Sequence, residues 1–350
     1  EALGLPGKDY LTAIISGFEV YQRVSGHIQP DPDFDIVKNG WGLCSWQIWA
    51  CSMPAGKLLG CDEEQFNLLM GATACETPVI DTIIHKQMSD FYHLQFGFTG
   101  MNGTMLARMA KRGELDNLYD ILDVEGGYAF MTRGFENEGW LDRNLGTEFM
   151  FNEILFKHWP ANMWIQTPME LTDSIMTKNG LTKKDIEEVL IDPPTYLRMA
   201  YYPEGYTSLT QAQFSMPFML ASYICNPTPG SHWLQRKQLT DPEILEMAGR
   251  VKSGPSEPLL MPKCFKEFQK GRHPVITVTI KTKDGRVFAE TMEKHLGHPG
   301  NMMSLEQFMD RFRTQAGACL SGDALEKAAS LLEHVEDCGD MAEITAMLHR

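Results

Sequence analysis

The sequence predicts a mainly helical protein with an α+β insert: a large all-helical part built from both chain ends and a smaller α+β part between them. Two observations lead there. Apolar residues recur at helical spacing through the first part of the 350-residue chain and again near its end. Beyond about residue 153 the pattern turns to short strands, brief helices and turn dipeptides. The expected division is 1–152 with 304–350 for the helical part and 153–303 for the α+β part. Two domains meeting along such a seam commonly form a ligand cleft.

Each element has its own signal. In residues 9–26, Leu11, Ile14, Ile15, Phe18, Tyr21 and Val24 follow helical spacing, and Gly26 can end the run. Residues 46–60 mix small and large apolar side chains, which suits a helix buried on several sides. Asp62 reads as the N-cap of a helix over 63–74. Residues 97–113 carry Gly97, Gly100 and Gly103 within a helical pattern. Each glycine costs a helix about 1 kcal/mol, so another backbone or a ligand is expected to come close.

In the middle part, Thr167-Pro168 opens a helix that stops at Asn179-Gly180. Residues 182–188 read as a short helix, and 189–192 as a strand closed by Pro193-Pro194. Residues 211–224 read as one helix kinked at Pro217. Asp241-Pro242 starts another, reaching about Val251. Residues 274–281 alternate as a strand that Asp284-Gly285 turns into a second over 286–292. Helices then return: Ser304 and Gln307 form a capping box ahead of Phe308, Met309 and Phe312, followed by helices over 323–336 and 340–349.

Composition excludes several functions. Lys+Arg number 31 against 46 Asp+Glu, a net charge of −15, and the acid excess is spread along the chain without a basic run. Nucleic acid is therefore a poor partner. No apolar stretch approaches the ~20 residues of a membrane span, and no leader pattern opens the chain. Cys44, Cys51, Cys61, Cys75, Cys225, Cys264, Cys319 and Cys338 form no C-x-x-C pair and no zinc-type spacing. They read as packed thiols of a cytoplasmic protein. Walker, dinucleotide-binding, nucleophile-elbow and H-E-x-x-H motifs are all absent. A metal held by distant carboxylates stays open.

Five motifs in order carry a family resemblance. They are Ala55-Gly56-Lys57-Leu58-Leu59-Gly60; Gly97-Phe98-Thr99-Gly100-Met101-Asn102-Gly103; Phe156-Lys157-His158-Trp159-Pro160-Ala161; Ala212-Gln213-Phe214-Ser215-Met216-Pro217-Phe218; and Gly297-His298-Pro299-Gly300-Asn301-Met302-Met303-Ser304. Through nearly its whole length the chain resembles the MmgE/PrpD family, which includes 2-methylcitrate dehydratase, cis-aconitate decarboxylase and iminodisuccinate epimerase. The resemblance implies the same two-part fold, usually as a homodimer. It also implies work on small di- or tricarboxylic acids at a carbon next to a carboxylate, by elimination, decarboxylation or epimerisation. No organic cofactor and no metal are expected.

The departures bear on the chemistry. Family members carry an Asp-rich segment with a His-Pro pair ahead of the helix matching 9–26, so a preceding segment is expected before Glu1. A non-catalytic or half-site subunit that needs a separately encoded N-terminal partner is the alternative this raises. Where many members have Lys-x-x-His before the Gly-rich helix, this chain has Tyr92 and Gln95. Where Gly-aromatic-His-Pro is common it reads Gly40-Trp41-Gly42-Leu43, and a Pro-Ala-His stretch appears as Pro160-Ala161-Asn162. These changes favour an isomerase or an altered-substrate lyase over a standard dehydratase.

Removing a proton beside a carboxylate needs a positioned base and cations or donors for the enolate-like charge. Lys157, His158, Tyr92 and His93 are the catalytic candidates; Gln95, Asn162, Lys86 and Arg198 are the substrate-binding ones. A solvated lysine or a packed histidine remains the plainer alternative for Lys157 and His158, and His298-Pro299 reads as a turn. Because the net charge of −15 repels an acidic substrate at long range, the site must be locally positive.

Overall fold

The computed structural model describes residues 2–27, 46–77, 88–122, 124, 126–127, 139, 141–268 and 270–348. The chain forms two compact units: Glu1–Gln87, Phe91–Ile154 and Leu320–Arg350 make the first, Met88–Asp90 and Leu155–Cys319 the second. The fold is mainly helical with an α+β part.

The first unit opens with α1 (Gly7–His27), α2 (Trp49–Leu58), α3 (Glu63–Cys75) and α4 (Tyr92–Lys111). Val24, Ile48, Trp49, Met53, Leu69, Leu106 and Ala107 form its core. Asp62 caps α3 as expected, and Gln65 completes a capping box by accepting from the Asp62 N–H at 3.0 Å. The glycines of α4 divide by role. A Cβ on Gly103 would stand 2.9 Å from the Ser52 nitrogen, so close approach to α2 requires glycine there. At Gly97 an added Cβ would meet no atom of the described residues within 4 Å. Arg23 is buried on α1, where it bonds Glu19 at 2.7 Å and the Arg143 carbonyl at 2.8 Å. That pairing fixes the turn-rich stretch around residue 143 against α1.

The second unit contains α5 (Gln166–Asn179), β1 (Ile186–Asp192), α6 (Leu209–Gln213), α7 (Met216–Cys225), α8 (Pro242–Ala248), β2 (Val251–Ser253), α9 (Met261–Phe268), β3 (Ile276–Thr282), β4 (Val287–Met292) and α10 (Leu305–Ala316). The sheet order is β2-β1-β3-β4. β1 runs parallel to β2 and antiparallel to β3, which pairs antiparallel with β4. Val189 stands opposite Ile280 and Ile191 opposite Val278, and these residues join Met169 and Ile175 of α5 in the core. The chain closes in the first unit with α11 (Asp323–Glu333) and α12 (Ala342–Leu348).

Several local expectations change. The helix expected over 182–188 is a turn followed by β1: Thr182 donates twice to Asp185, and Ile186, Val189 and Ile191 point inward as a strand. The single kinked helix over 211–224 is two helices, because the Ser215 hydroxyl caps α7 and Pro217 occupies its first turn. α5 begins at Gln166, whose side chain is used elsewhere, and ends at Gly180 with φ +60° as expected. α9 was not foreseen. Ser304 and Gln307 do form the capping box of α10.

Among the described residues seven cysteines form no disulfide, and Cys44 lies outside them. Burial raises the pKa of Cys51, Cys61, Cys225 and Cys264, which makes them poor nucleophiles. No described helix is long and apolar enough to cross a membrane.

Candidate active site

In the second unit, the loop from Phe156 to Asn162 is pinned from two sides. The Phe156 N–H donates to the Gly297 carbonyl at 2.8 Å. Gly297 has φ +96°, and a Cβ there would lie 2.2 Å from the Phe156 oxygen, so only glycine fits. The Gly297-His298-Pro299 turn is thus a support for this loop. His298 closes that turn by accepting from the Gly300 N–H at 2.9 Å, and its Nε2 meets His273 Nε2 at 3.0 Å. From the other side, Gln166 of α5 accepts from the Trp159 N–H at 2.9 Å and donates to the Trp159 and Ala161 carbonyls. The Trp159 ring is buried against Tyr223 and Trp233.

Glu170, one turn beyond Gln166, completes the arrangement. Its Oε2 accepts from His158 Nδ1 at 2.9 Å and from Trp159 Nε1 at 2.8 Å. Burial tends to raise the Glu170 carboxyl, but the hydrogen bonds from His158 and Trp159 outweigh it and hold the group below the usual carboxylate range. His158 keeps 31 % of its side chain exposed.

Lys157 sits beside a second cation. Phe308 of α10 meets Phe156 edge-on at 5.1 Å, and Arg311 lies one turn further along the same helix face. Burial by the surrounding protein lowers the Lys157 pKa, although the side chain retains access to water, and repulsion from Arg311 lowers it further. Burial also lowers the Arg311 guanidinium. Neither cation pairs with a carboxylate among the described residues. In a chain of net charge −15 this is a local positive focus.

A cavity of about 50 Å³ nearby is lined by His273, Glu293, His295, His298 and Trp164. It has room for a water or two and not for a polycarboxylate. Burial lowers the pKa of His295, which feels both Glu170 and His158.

The other expected residues are distributed as follows. Asn162 lies in the same loop, where its side-chain oxygen accepts from the Trp164 N–H at 3.2 Å and caps the turn that follows. Arg198 is only 1 % exposed, stacked over Phe214 at 4.9 Å and against the Met261 sulfur at 3.6 Å. It is packed inside the second unit and does not line an open wall. Tyr92, His93 and Gln95 belong to the first unit, on the opening turn of α4. Tyr92 packs on His93 and Phe96, and the buried Gln95 Oε1 has no hydrogen-bond partner among the described residues. Lys86 lies outside the described residues.

Sequence reading missed Arg311, Glu170 and Gln166. The available signal was helical phase: Gln166 and Glu170 stand four residues apart on α5, and Arg311 three beyond Phe308 on α10. Among the described residues the one cluster within reach of a metal ion is His334, Glu336 and Asp337. All three are exposed, in the manner of acidic surfaces that bind nothing.

The family model of the MmgE/PrpD N-terminal domain matches residues 1–139, and that of the MmgE/PrpD C-terminal domain matches residues 159–337. A cis-aconitate decarboxylase of Mus musculus is 22 % identical over 261 residues, covering 71 % of this chain and 50 % of that protein. The chain thus spans about half the length of this curated relative. With both family domains matched in order, the chain belongs to the MmgE/PrpD family.

Proposed function

We propose that this protein is a lyase or isomerase acting on a small di- or tricarboxylic acid, by proton abstraction from the carbon next to a carboxylate. His158 takes the proton, and Lys157 with Arg311 holds the carboxylate on which the charge develops. The observation that carries the assignment is the Phe156–Phe308 contact at 5.1 Å, which brings the Lys157 loop to the helix of Arg311: two cations near enough to repel, neither paired with a carboxylate among the described residues, favour an anion between them. The decarboxylase relative supports lyase chemistry. Asn162 in place of a histidine tilts the outcome towards reprotonation or an altered substrate. Tyr92 and His93 remain catalytic candidates and Gln95 and Lys86 substrate-binding ones, each to be tested by substitution in the assay below.

Solvent-deuterium exchange tests it. Incubating the protein in heavy water with a panel of di- and tricarboxylic acids should label the carbon beside a carboxylate in at least one of them. Lys157→Ala and His158→Ala should each slow that exchange by about 10²-fold or more. No exchange with any member of the panel would refute the proposal. Product analysis then separates loss of water or CO₂ from inversion at carbon. A homodimer and a cytoplasmic setting complete the proposal on the strength of family membership; sedimentation and cell fractionation check them.

A further inference from the structure

Glu170 has no place in the sequence motifs, yet its Oε2 organises the candidate base. The Trp159 indole N–H can only donate, so at 2.8 Å the Glu170 oxygen must accept from it. His158 Nδ1 reaches the same oxygen at 2.9 Å. An oxygen that accepts from the indole and belongs to an ionised carboxylate has no hydrogen to give the imidazole. The imidazole must therefore carry its hydrogen on Nδ1, and Nε2 is left as the bare nitrogen. That Nε2 makes no hydrogen bond among the described residues.

The surroundings hold this geometry in place. Gln166 grips the Trp159 peptide from one turn earlier on α5. The indole is 3 % exposed, wedged between Tyr223 and Trp233. His158 therefore lies between a fixed backbone and a fixed carboxylate, with little rotation left to it.

We propose that Glu170 is a positioning residue: it fixes His158 as the Nδ1–H tautomer, directs Nε2 to the substrate proton, and stabilises the imidazolium that proton transfer creates. The role rests on the assignment of His158 as the base. In the step, the C–H bond beside the substrate carboxylate breaks and an Nε2–H bond forms. The electron pair passes into the carboxylate as an enediolate beside Lys157 and Arg311. The pair then expels a group on the next carbon, giving a double bond, or recaptures a proton at the same carbon, giving the epimer. Glu170 exchanges no proton with substrate in either case.

Two measurements on the full chain test this. Long-range proton–nitrogen NMR of the histidine-labelled protein reads the tautomer without substrate. His158 should show a protonated Nδ1 and a bare Nε2, and Glu170→Leu, which removes the acceptor shared by Nδ1 and the Trp159 indole, should release it to a mixture of tautomers. An Nε2–H tautomer in the unaltered protein overturns the proposal. In the exchange assay Glu170→Gln should lower kcat by about 10²-fold with KM little changed, because the imidazolium loses its negative partner. Glu170→Asp, which keeps the charge, should recover part of the loss. If His158→Ala abolishes exchange while Glu170→Gln leaves kcat intact, the positioning role fails and the site assignment stands. If His158→Ala leaves exchange intact, the site assignment fails, and the positioning role fails with it.

Discussion

Acidification should destabilise the second unit through His298 before any carboxylate responds. His298 is 6 % exposed and accepts from the Gly300 N–H through Nδ1, so its hydrogen is on Nε2, donated to His273. Protonation would place a second hydrogen against the Gly300 N–H and a positive charge beside His273, His295 and Lys294. Burial first, then these neighbours, push the His298 pKa from 6.5 down to about 4. The folded value lies below the unfolded one, so above pH 6.5 neither state binds the proton and stability is unaffected. Between 6.5 and 4 the unfolded chain binds it and the native chain does not. Stability then falls as pH falls, by up to about 1.4 kcal/mol per unit of pH. Across the whole interval the loss is about 3 kcal/mol. His295, also lowered by burial, adds in the same direction. The lowered carboxyl of Glu170 starts from an ordinary value of 4.5 and acts mainly below that, so the window from 6.5 to 4.5 is dominated by the histidines. Urea unfolding followed by tryptophan fluorescence, at steps from pH 7.5 to 4.5, measures the effect. The unaltered protein should lose about 2 kcal/mol more than His298→Gln over that range. Parallel pH profiles for the two would refute the reasoning.

Three other outcomes follow from the geometry. Gly297→Ala forces a Cβ to within 2.2 Å of the Phe156 oxygen at φ +96°, and should cost about 2–4 kcal/mol in thermal unfolding while slowing deuterium exchange. Arg311→Ala should raise the Lys157 pKa, though only in part because burial is the larger cause, and acetic anhydride labelling of Lys157 at pH 8 should slow accordingly. The same variant should raise KM for a dicarboxylate about 10-fold. On α4, Gly103→Ala should destabilise the first unit by about 1–3 kcal/mol, whereas Gly97→Ala meets none of the described residues and should stabilise by up to about 1 kcal/mol; thermal melts compare them.

Much of the fold was legible because its signals are local. The N-cap at Asp62, the capping box at Ser304, the glycine stop at Gly180 and the Asp284-Gly285 hairpin each involve residues a few positions apart. The errors came where a local signal was ambiguous. Residues 182–188 are polar enough for an exposed helix, but pairing of β1 with β3 satisfies their backbone and buries Ile186. Pro217 was recognised as a disruption, while the Ser215 cap that turns it into a helix start was overlooked. Lys157, His158 and Asn162 were legible as candidates because they share one motif.

Sequence by itself determined the family, the helical and α+β parts, and the residue types available for acid–base work on an acidic substrate. Tertiary structure decided which of those residues have chemical partners. Glu170 lies 12 residues from His158, and the Phe156–Phe308 contact brings the helix of Arg311, distant in sequence, near Lys157. A lysine's basicity and a histidine's tautomer depend on desolvation and on the hydrogen bonds around them, and the residues that set both are brought together only when the chain folds.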